Sequence, residues 1–286
     1  MVKFLLYKIG QLIVDRLPVH LSYRWARVIS DMQYAFSPRD RRSVRNNLRI
    51  ILNTKADLAR ETREVFRNFG EYLVDFFRLG KKLDRNFIDR YVKIESLANI
   101  HEALQAHKGA IFVSAHIGNW ELGAMIISTF FPMTVVALPH KERLVNNLFN
   151  AQREAHGISV IAPNIAVRRC MEALKANQMI ALVGDRDFGA HGVEMDFLGR
   201  RALIPKGPAI FSIKTGAPII PCFLIRNAEN AFTLFIEKPI FPTQVIDGTI
   251  EERALVSLMR QYLIKVEEKI RQYPTQWLMF REFWIK

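Results

Sequence analysis

The sequence predicts an α/β fold: a mostly parallel central sheet flanked by helices, preceded by a basic helical N-terminal region. Two observations predict it. From about residue 108 onward, short apolar runs alternate with stretches of helical spacing, the pattern of a sheet whose strands are joined by crossover helices. Before that point, residues 1–80 carry helical periodicity.

Taken in order, the first segment places Phe4, Leu5, Ile9, Leu12 and Ile13 at helical spacing, with Lys8, Asp15 and Arg16 among them and Pro18 as the stop. Such an amphipathic helix either packs on the protein or lies in a lipid interface. Ser37 followed by Pro38 marks the start of a helix. That helix carries Arg39, Arg41, Arg42, Arg45 and Arg49, with Val44, Leu48 and Ile51 spaced among them. The runs Ala110–Ser114, Met133–Leu138, Ile158–Ile161, Met179–Val183 and Ile219–Ile225 read as buried strands, and Phe232–Glu237 as an edge strand. Helices are expected at 120–129, 142–156, 165–177 and 206–215, the last opened by Pro205 and closed by Gly216. A long helix over Ile250–Tyr273 buries Leu255, Leu258, Tyr262, Val266 and Ile270 and stops at Pro274. No repeat or Pro/Gly/Ser linker interrupts the chain, so one domain is expected over 1–286, helical and basic over 1–95 and α/β over 96–286.

The formal charge is +13, and residues 1–90 hold 19 Lys and Arg against 10 Asp and Glu, a net of +9. A basic N-terminal third suits a phosphate-rich surface, either anionic lipid or nucleic acid. The two cysteines, Cys170 and Cys222, lie far apart without metal-ligand spacing, which argues against a disulfide scaffold or a zinc site. No uncharged apolar stretch is long enough for a spanning helix, and no signal cleavage site follows the first helix.

The most informative segment is SAHIGNWE at 114–121. His116 follows directly from a buried strand, and Asn119 is a good cap for the helix begun by Trp120 and Glu121. On a continuous helix, residues five apart point about 140° away from each other. A loop removes that obstacle and can turn the imidazole back over Glu121. A carboxylate on one ring nitrogen fixes the tautomer and leaves the other nitrogen free as a base. The carboxyl end of a strand in an open α/β sheet is where ligands usually bind, and Gly118 permits close backbone approach. Asp185 and Asp187 also follow a buried strand. They bind a metal, anchor a cation of the site, or order their loop, and the lack of further acids or histidines at ligand spacing disfavours the metal. GxSxG, HExxH, P-loop and strand-linked GxGxxG motifs are absent, which lowers serine hydrolase, zinc protease and nucleotide chemistry.

The His-x4-Glu segment resembles the signature of the lysophospholipid acyltransferase superfamily. The fuller resemblance is to its lipid A biosynthesis lauroyl/myristoyl acyltransferase family, which includes the related phosphatidylinositol mannoside acyltransferases. GDRDFGAHGVEMDFLGR at 184–200, IPKGPAIFSIKTGAPIIPCF at 204–223 and QYPTQWLMFREFW at 272–284 are similar to later segments of that family, in the same order. The resemblance implies a glycerolipid acyltransferase-like fold and a reaction. His116, oriented by Glu121, takes the proton of an acceptor hydroxyl, which attacks an acyl thioester. It also implies a supporting role for Arg153, and it suggests Glu194 as a distant acid assisting the histidine, the alternative being an ordinary exposed strand residue. The implied partners are acyl carrier protein or a CoA thioester, anionic membrane lipid and a glycolipid acceptor such as a lipid A precursor, at the cytoplasmic face of the bacterial inner membrane. No cofactor is implied beyond the acyl donor. Two departures stand out: the charge-interrupted N-terminus, and the lack of a Glu-Gly-Thr-Arg element, which counts against a simple lysophosphatidate acyltransferase. The alternatives are another glycolipid or lysophospholipid acceptor, a basic nucleic-acid-binding protein, or a lipid-binding protein without catalysis. The nucleic-acid reading leaves SAHIGNWE without a role, and no nucleic-acid motif is present.

Overall fold

The computed structural model describes residues 2–52, 56–79, 83–162, 165–187, 189, 191–227, 231–243 and 251–285. The chain opens with four helices, α1 (Val2–Arg16), α2 (Val19–Phe36), α3 (Pro38–Ile51) and α4 (Leu58–Leu79), then α5 (Arg85–Tyr91). Pro38 occupies the first turn of α3 as expected, although the Ser37 side chain makes no capping bond. The first helix ends before Pro18, but of its expected apolar stripe Leu5, Ile9, Leu12 and Ile13 face outward, and Phe4 packs inward. Helix α4 is the hub of this region, touching α1, α2, α3 and, in the following α/β part, α7 (Trp120–Ser128).

The α/β part alternates as the sequence predicts. After β1 (Val92–Glu95) and α6 (Ala98–Leu104) come β2 (Ala110–Ser114), α7, β3 (Met133–Val136), α8 (Arg143–Glu154), β4 (Ile158–Ile161), α9 (Ala166–Lys175) and β5 (Met179–Val183). A two-stranded hairpin follows, β6 (Val193–Phe197) and β7 (Arg200–Ile204), then α10 (Gly207–Thr215), β8 (Ile219–Arg226), β9 (Phe232–Ile236) and α11 (Glu252–Gln272). Among the described residues the main sheet has the order β1-β9-β8-β2-β5-β3-β4. Strands β8, β2, β5, β3 and β4 run parallel. Strand β9 is antiparallel to β8, and β1 lies parallel to β9. The expected edge strand at 232–237 is therefore internal. Strand β1 covers it, a strand drawn from the stretch expected to be helical, because its four residues are too few for an alternating pattern to stand out.

Both faces of the sheet are covered, which is why its strands read as near-continuous apolar runs. Along β2, Ile111 and Val113 join the core under α9, α10 and α11, while Ala110 and Phe112 face α6 and α7 on the other side. Helix α11 buries Leu255, Leu258, Tyr262, Val266 and Ile270 as its periodicity predicts. Cys170 and Cys222 are buried free thiols in these cores. The chain then turns at Pro274–Gln276, and the following residues run back beneath the carboxyl ends of the parallel strands.

Candidate active site

Strands β2 and β5 are direct neighbours, and their registers pair Ser114 with Val183 at the carboxyl ends. His116 and Asp185 each stand two residues beyond those paired ends. The register therefore brings them together. The Asp185 Oδ1 accepts from His116 Nδ1 at 2.7 Å, and Oδ2 accepts the His116 backbone N–H at 3.0 Å. Oδ2 also accepts the indole N–H of Trp277 at 2.9 Å. Asp185 is fully buried. Burial pushes its carboxyl up, but the imidazole and the two N–H donors outweigh that and hold it below its ordinary value. A carboxylate only accepts, so Nδ1 carries the hydrogen and Nε2 keeps a basic lone pair. The edge of Trp120, 5.0 Å from the imidazole centroid, fixes the ring from the side, and Tyr72 stacks on that indole at 4.7 Å.

The loop beneath the imidazole is pinned along its length. The His116 carbonyl accepts from the Leu278 N–H at 2.7 Å, Gly118 N–H donates to the Gln276 carbonyl at 2.9 Å, and Asn119 N–H donates to the Leu224 carbonyl at 2.9 Å. Gly118 has φ +60, and a Cβ there would stand 2.0 Å from the Leu224 carbonyl oxygen, so this turn requires glycine. Asn119 caps α7, its side chain accepting from the Leu122 N–H at 3.0 Å.

Glu121 does not orient the imidazole. Its carboxylate is taken by Arg153, which donates from Nε at 2.8 Å and from a terminal nitrogen at 2.5 Å. The reason is geometric: Glu121 lies in the first turn of α7, which packs against α8's strand, β4, and faces the guanidinium from α8, while the residue level with His116 on the neighbouring strand is Asp185. Arg153 is buried, at 7% exposure. Burial works against its charge, Glu121 restores it, and the net effect holds the guanidinium above its ordinary value. Asp187 accepts the His191 backbone N–H at 3.1 Å and makes no hydrogen bond to His116 among the described residues. Glu194 lies on the exposed face of the β6–β7 hairpin, 3.6 Å from Arg201, so the remote acid on the histidine is Asp185 and not Glu194. Among the described residues, no three His, Cys, Asp or Glu side chains gather as a metal site.

A cavity of about 1380 Å³ contains His116, Glu121 and Arg153 in its wall. That exceeds the roughly 300–1,000 Å³ of an ordinary small-molecule pocket. Where α7 meets the sheet its lining is apolar, with Phe112, Gly123, Ile127, Met133, Ala181 and Cys222. Elsewhere it is polar and of mixed charge, with Arg39, Lys141, Arg186 and Arg281 beside Asp40, Asp187 and Glu282. One cavity thus joins a greasy slot to a charged, polar region, with the imidazole in its wall.

Residues 1–286 match the family described as bacterial lipid A biosynthesis acyltransferase. The chain belongs to that family. It is similar to the phosphatidylinositol mannoside acyltransferase of Mycolicibacterium smegmatis, 29% identical over 242 residues, covering 82% of this chain and 72% of the relative. It is likewise similar to the protein of that name from Mycobacterium tuberculosis, 32% identical over 229 residues, covering 76% and 68%. The protein is an acyltransferase.

In this acyltransferase, sequence reasoning missed two contributors to the site. Trp277 was visible only as part of an aromatic segment near the end of the chain. Gln276 pairs with the end of β8, its side chain accepting from the Arg226 N–H at 3.0 Å and donating to the Arg226 carbonyl at 2.8 Å. No sequence signal connects either residue to position 116.

Proposed function

We propose that this acyltransferase moves a fatty acyl group from an acyl carrier protein or CoA thioester to a hydroxyl of a membrane glycolipid such as a lipid A precursor. The observation that carries it is the His116–Asp185 pair in the wall of a cavity with an apolar slot. The acceptor hydroxyl gives its proton to His116 Nε2 as its oxygen attacks the thioester carbonyl. Asp185 stabilises the imidazolium that forms. The tetrahedral oxyanion collapses, the carbon–sulfur bond breaks, and the thiolate leaves with the proton from the imidazolium. Ester and thiol are the products, with the base regenerated, and no cofactor or metal is needed.

The apolar slot lined by Phe112, Ile127 and Ala181 takes the acyl chain. Arg153, held by Glu121, supplies a guanidinium for the oxyanion and for phosphate on donor or acceptor. A second acceptor class, a mannosylated phosphoinositide, is favoured by what the curated relatives are named for.

The enzyme works at a membrane surface, the cytoplasmic face of the inner membrane, where thioester donors are present. No helix among the described residues is long and apolar enough to cross a membrane. Peripheral attachment is supported by Leu5, Leu6 and Ile9 on α1 and by Trp25, Val28, Ile29, Met32 and Phe36 on α2, all exposed. The α2 set recurs at helical spacing, and such a face on a lone protein invites a lipid interface. The exposed Arg42, Arg45 and Arg49 of α3 add attraction to anionic headgroups.

The test supplies acyl-CoA or acyl-carrier protein with a lipid A precursor or a phosphatidylinositol mannoside and seeks, by mass spectrometry, a lipid heavier by one acyl chain. His116→Ala abolishes the product while circular dichroism stays unchanged. Full turnover in that variant would sink the reading.

A further inference from the structure

Beneath the loop that carries His116 lies a buried polar cluster that the proposed reaction does not touch. Its centre is Asp75 on α4, at 1% exposure. Oδ1 accepts from the Tyr23 hydroxyl at 2.5 Å. Oδ2 accepts from the Asn119 side-chain amide at 3.2 Å and from the guanidinium of Arg226. Arg226 also lies 3.3 Å from Glu71 through Nε, and Arg27 donates to the same Glu71 at 2.6 Å. Four pieces of the molecule meet here: α2 through Tyr23 and Arg27, α4 through Glu71 and Asp75, the end of β8 through Arg226, and the α7 cap through Asn119. The last of these stands three residues after His116.

Asn119 has an amide whose two ends differ, and the site needs one orientation. Its oxygen must face the Leu122 N–H to cap α7, which requires its NH₂ to point the other way. Asp75 accepts and cannot donate while ionised, and two cationic or hydroxyl donors keep it so placed. An inverted Asn119 would set oxygen against carboxylate and NH₂ against N–H, two repulsive contacts at once. Asp75 therefore fixes the amide, the amide fixes the start of α7, and the start of α7 fixes the loop on which the imidazole stands. A shift of about 1 Å in a reacting group can cost about a hundredfold in rate.

Accepting His116 as the base, we propose that Asp75 is a positioning residue for it, acting through Asn119, with Tyr23 and Arg226 holding Asp75 in place. The experiment measures kcat, KM for the thioester and the melting temperature of four variants: Asn119→Ser, Asn119→Asp, Asp75→Asn, and the exchange Asp75→Asn with Asn119→Asp. Serine keeps the cap and loses the bond to Asp75. Aspartate keeps the cap and faces Asp75 with like charge. The exchange restores the bond between the two positions with its members swapped, while the amide NH₂ at 75 takes the place of the acceptor that Arg226 uses. We expect Asn119→Ser to lose about tenfold in kcat, and Asn119→Asp more, with KM within about twofold. The exchange gains at least about threefold in kcat over Asn119→Asp alone, short of wild type because Arg226 has lost its acceptor at 75. Wild-type kcat in both Asn119 variants overturns the proposal, as does an exchange that regains melting temperature without kcat. Should Asp75→Asn fail to fold, the two Asn119 variants still decide. Activity surviving in His116→Ala would defeat the assignment of the base instead, whatever the Asn119 variants do.

Discussion

Asp185 reaches its place at the imidazole by register, and its ionisation has consequences for both chemistry and stability. Its folded-state pKa lies below its ordinary value, because His116 and the Trp277 indole outweigh the effect of burial. A carboxyl depressed by folding contributes stability above its unfolded pKa of about 3.9 and loses it as pH falls through the lower folded value. Urea unfolding between pH 6 and pH 2 should therefore show Asp185→Asn less stable than wild type at pH 6, with the difference shrinking as pH falls toward the bottom of that range. The same variant offers Nδ1 an amide that can donate as well as accept, so the tautomer is no longer enforced. Its kcat is expected to fall by about 10²–10⁴-fold with the fold intact. Glu121→Gln should act differently. It removes the countercharge of a guanidinium at 7% exposure, and because Arg153 serves both oxyanion and phosphate it lowers kcat and raises KM together, while the pH dependence set by His116 stays unchanged. At this scale the sequence made His116 legible, along with the cap formed by Asn119 and the placement of both aspartates past a buried strand. It did not reveal which acid the imidazole meets. His116 and Asp185 each sit two residues past an apolar run, AIFVS and MIALV, but that shared offset has meaning only once β2 and β5 are known to be neighbours.

Among the elements, the turn between β2 and α7 is the most constrained. Gly118→Ala forces a Cβ toward a carbonyl oxygen 2.0 Å away at φ +60, and should destabilise the protein by about 1–3 kcal/mol while lowering activity further than that loss accounts for. Thermal melting beside turnover at a temperature well below the transition separates the two effects. The slot between α7 and the sheet makes another expectation. Ala181→Phe, which adds a ring to the lining, should shift the acyl chains transferred from long toward short without changing the acceptor, read by competing donors of different length. Most elements were readable because each strand run is bounded by helical spacing and capped by Gly, Pro or Asn. Of the β6–β7 hairpin the sequence showed only that Glu194 suits an exposed strand position, which β6 bears out; its partner strand was not readable. The expected edge strand became internal because β1 supplies the true edge from a region of helical character.

For the molecule as a whole, the basic charge bias and the exposed apolar faces of α1 and α2 point the same way. Replacing Trp25 and Ile29 together by Ser removes two side chains that would each contribute roughly 1–2 kcal/mol on burial in the interface. Partition onto anionic vesicles should drop at least tenfold, with turnover of a short-chain, detergent-dispersed acceptor little changed. Sedimentation with vesicles at several salt concentrations checks it, and a salt-sensitive residue of binding in the variant would report the α3 arginines. Strand order and the path of the last residues are properties of the whole, and no local pattern encodes them. That limit is physical: which strand lies beside which follows from how covered faces and crossovers fit together, after every element has formed.

The clasp of residues 276–278 on the loop at 116–118 also bears on how the protein is made. A ribosome releases the histidine long before it releases the indole that braces its acid and the backbone that holds its loop. The contacts that pin this loop therefore form only after nearly all of the sheet has been synthesised.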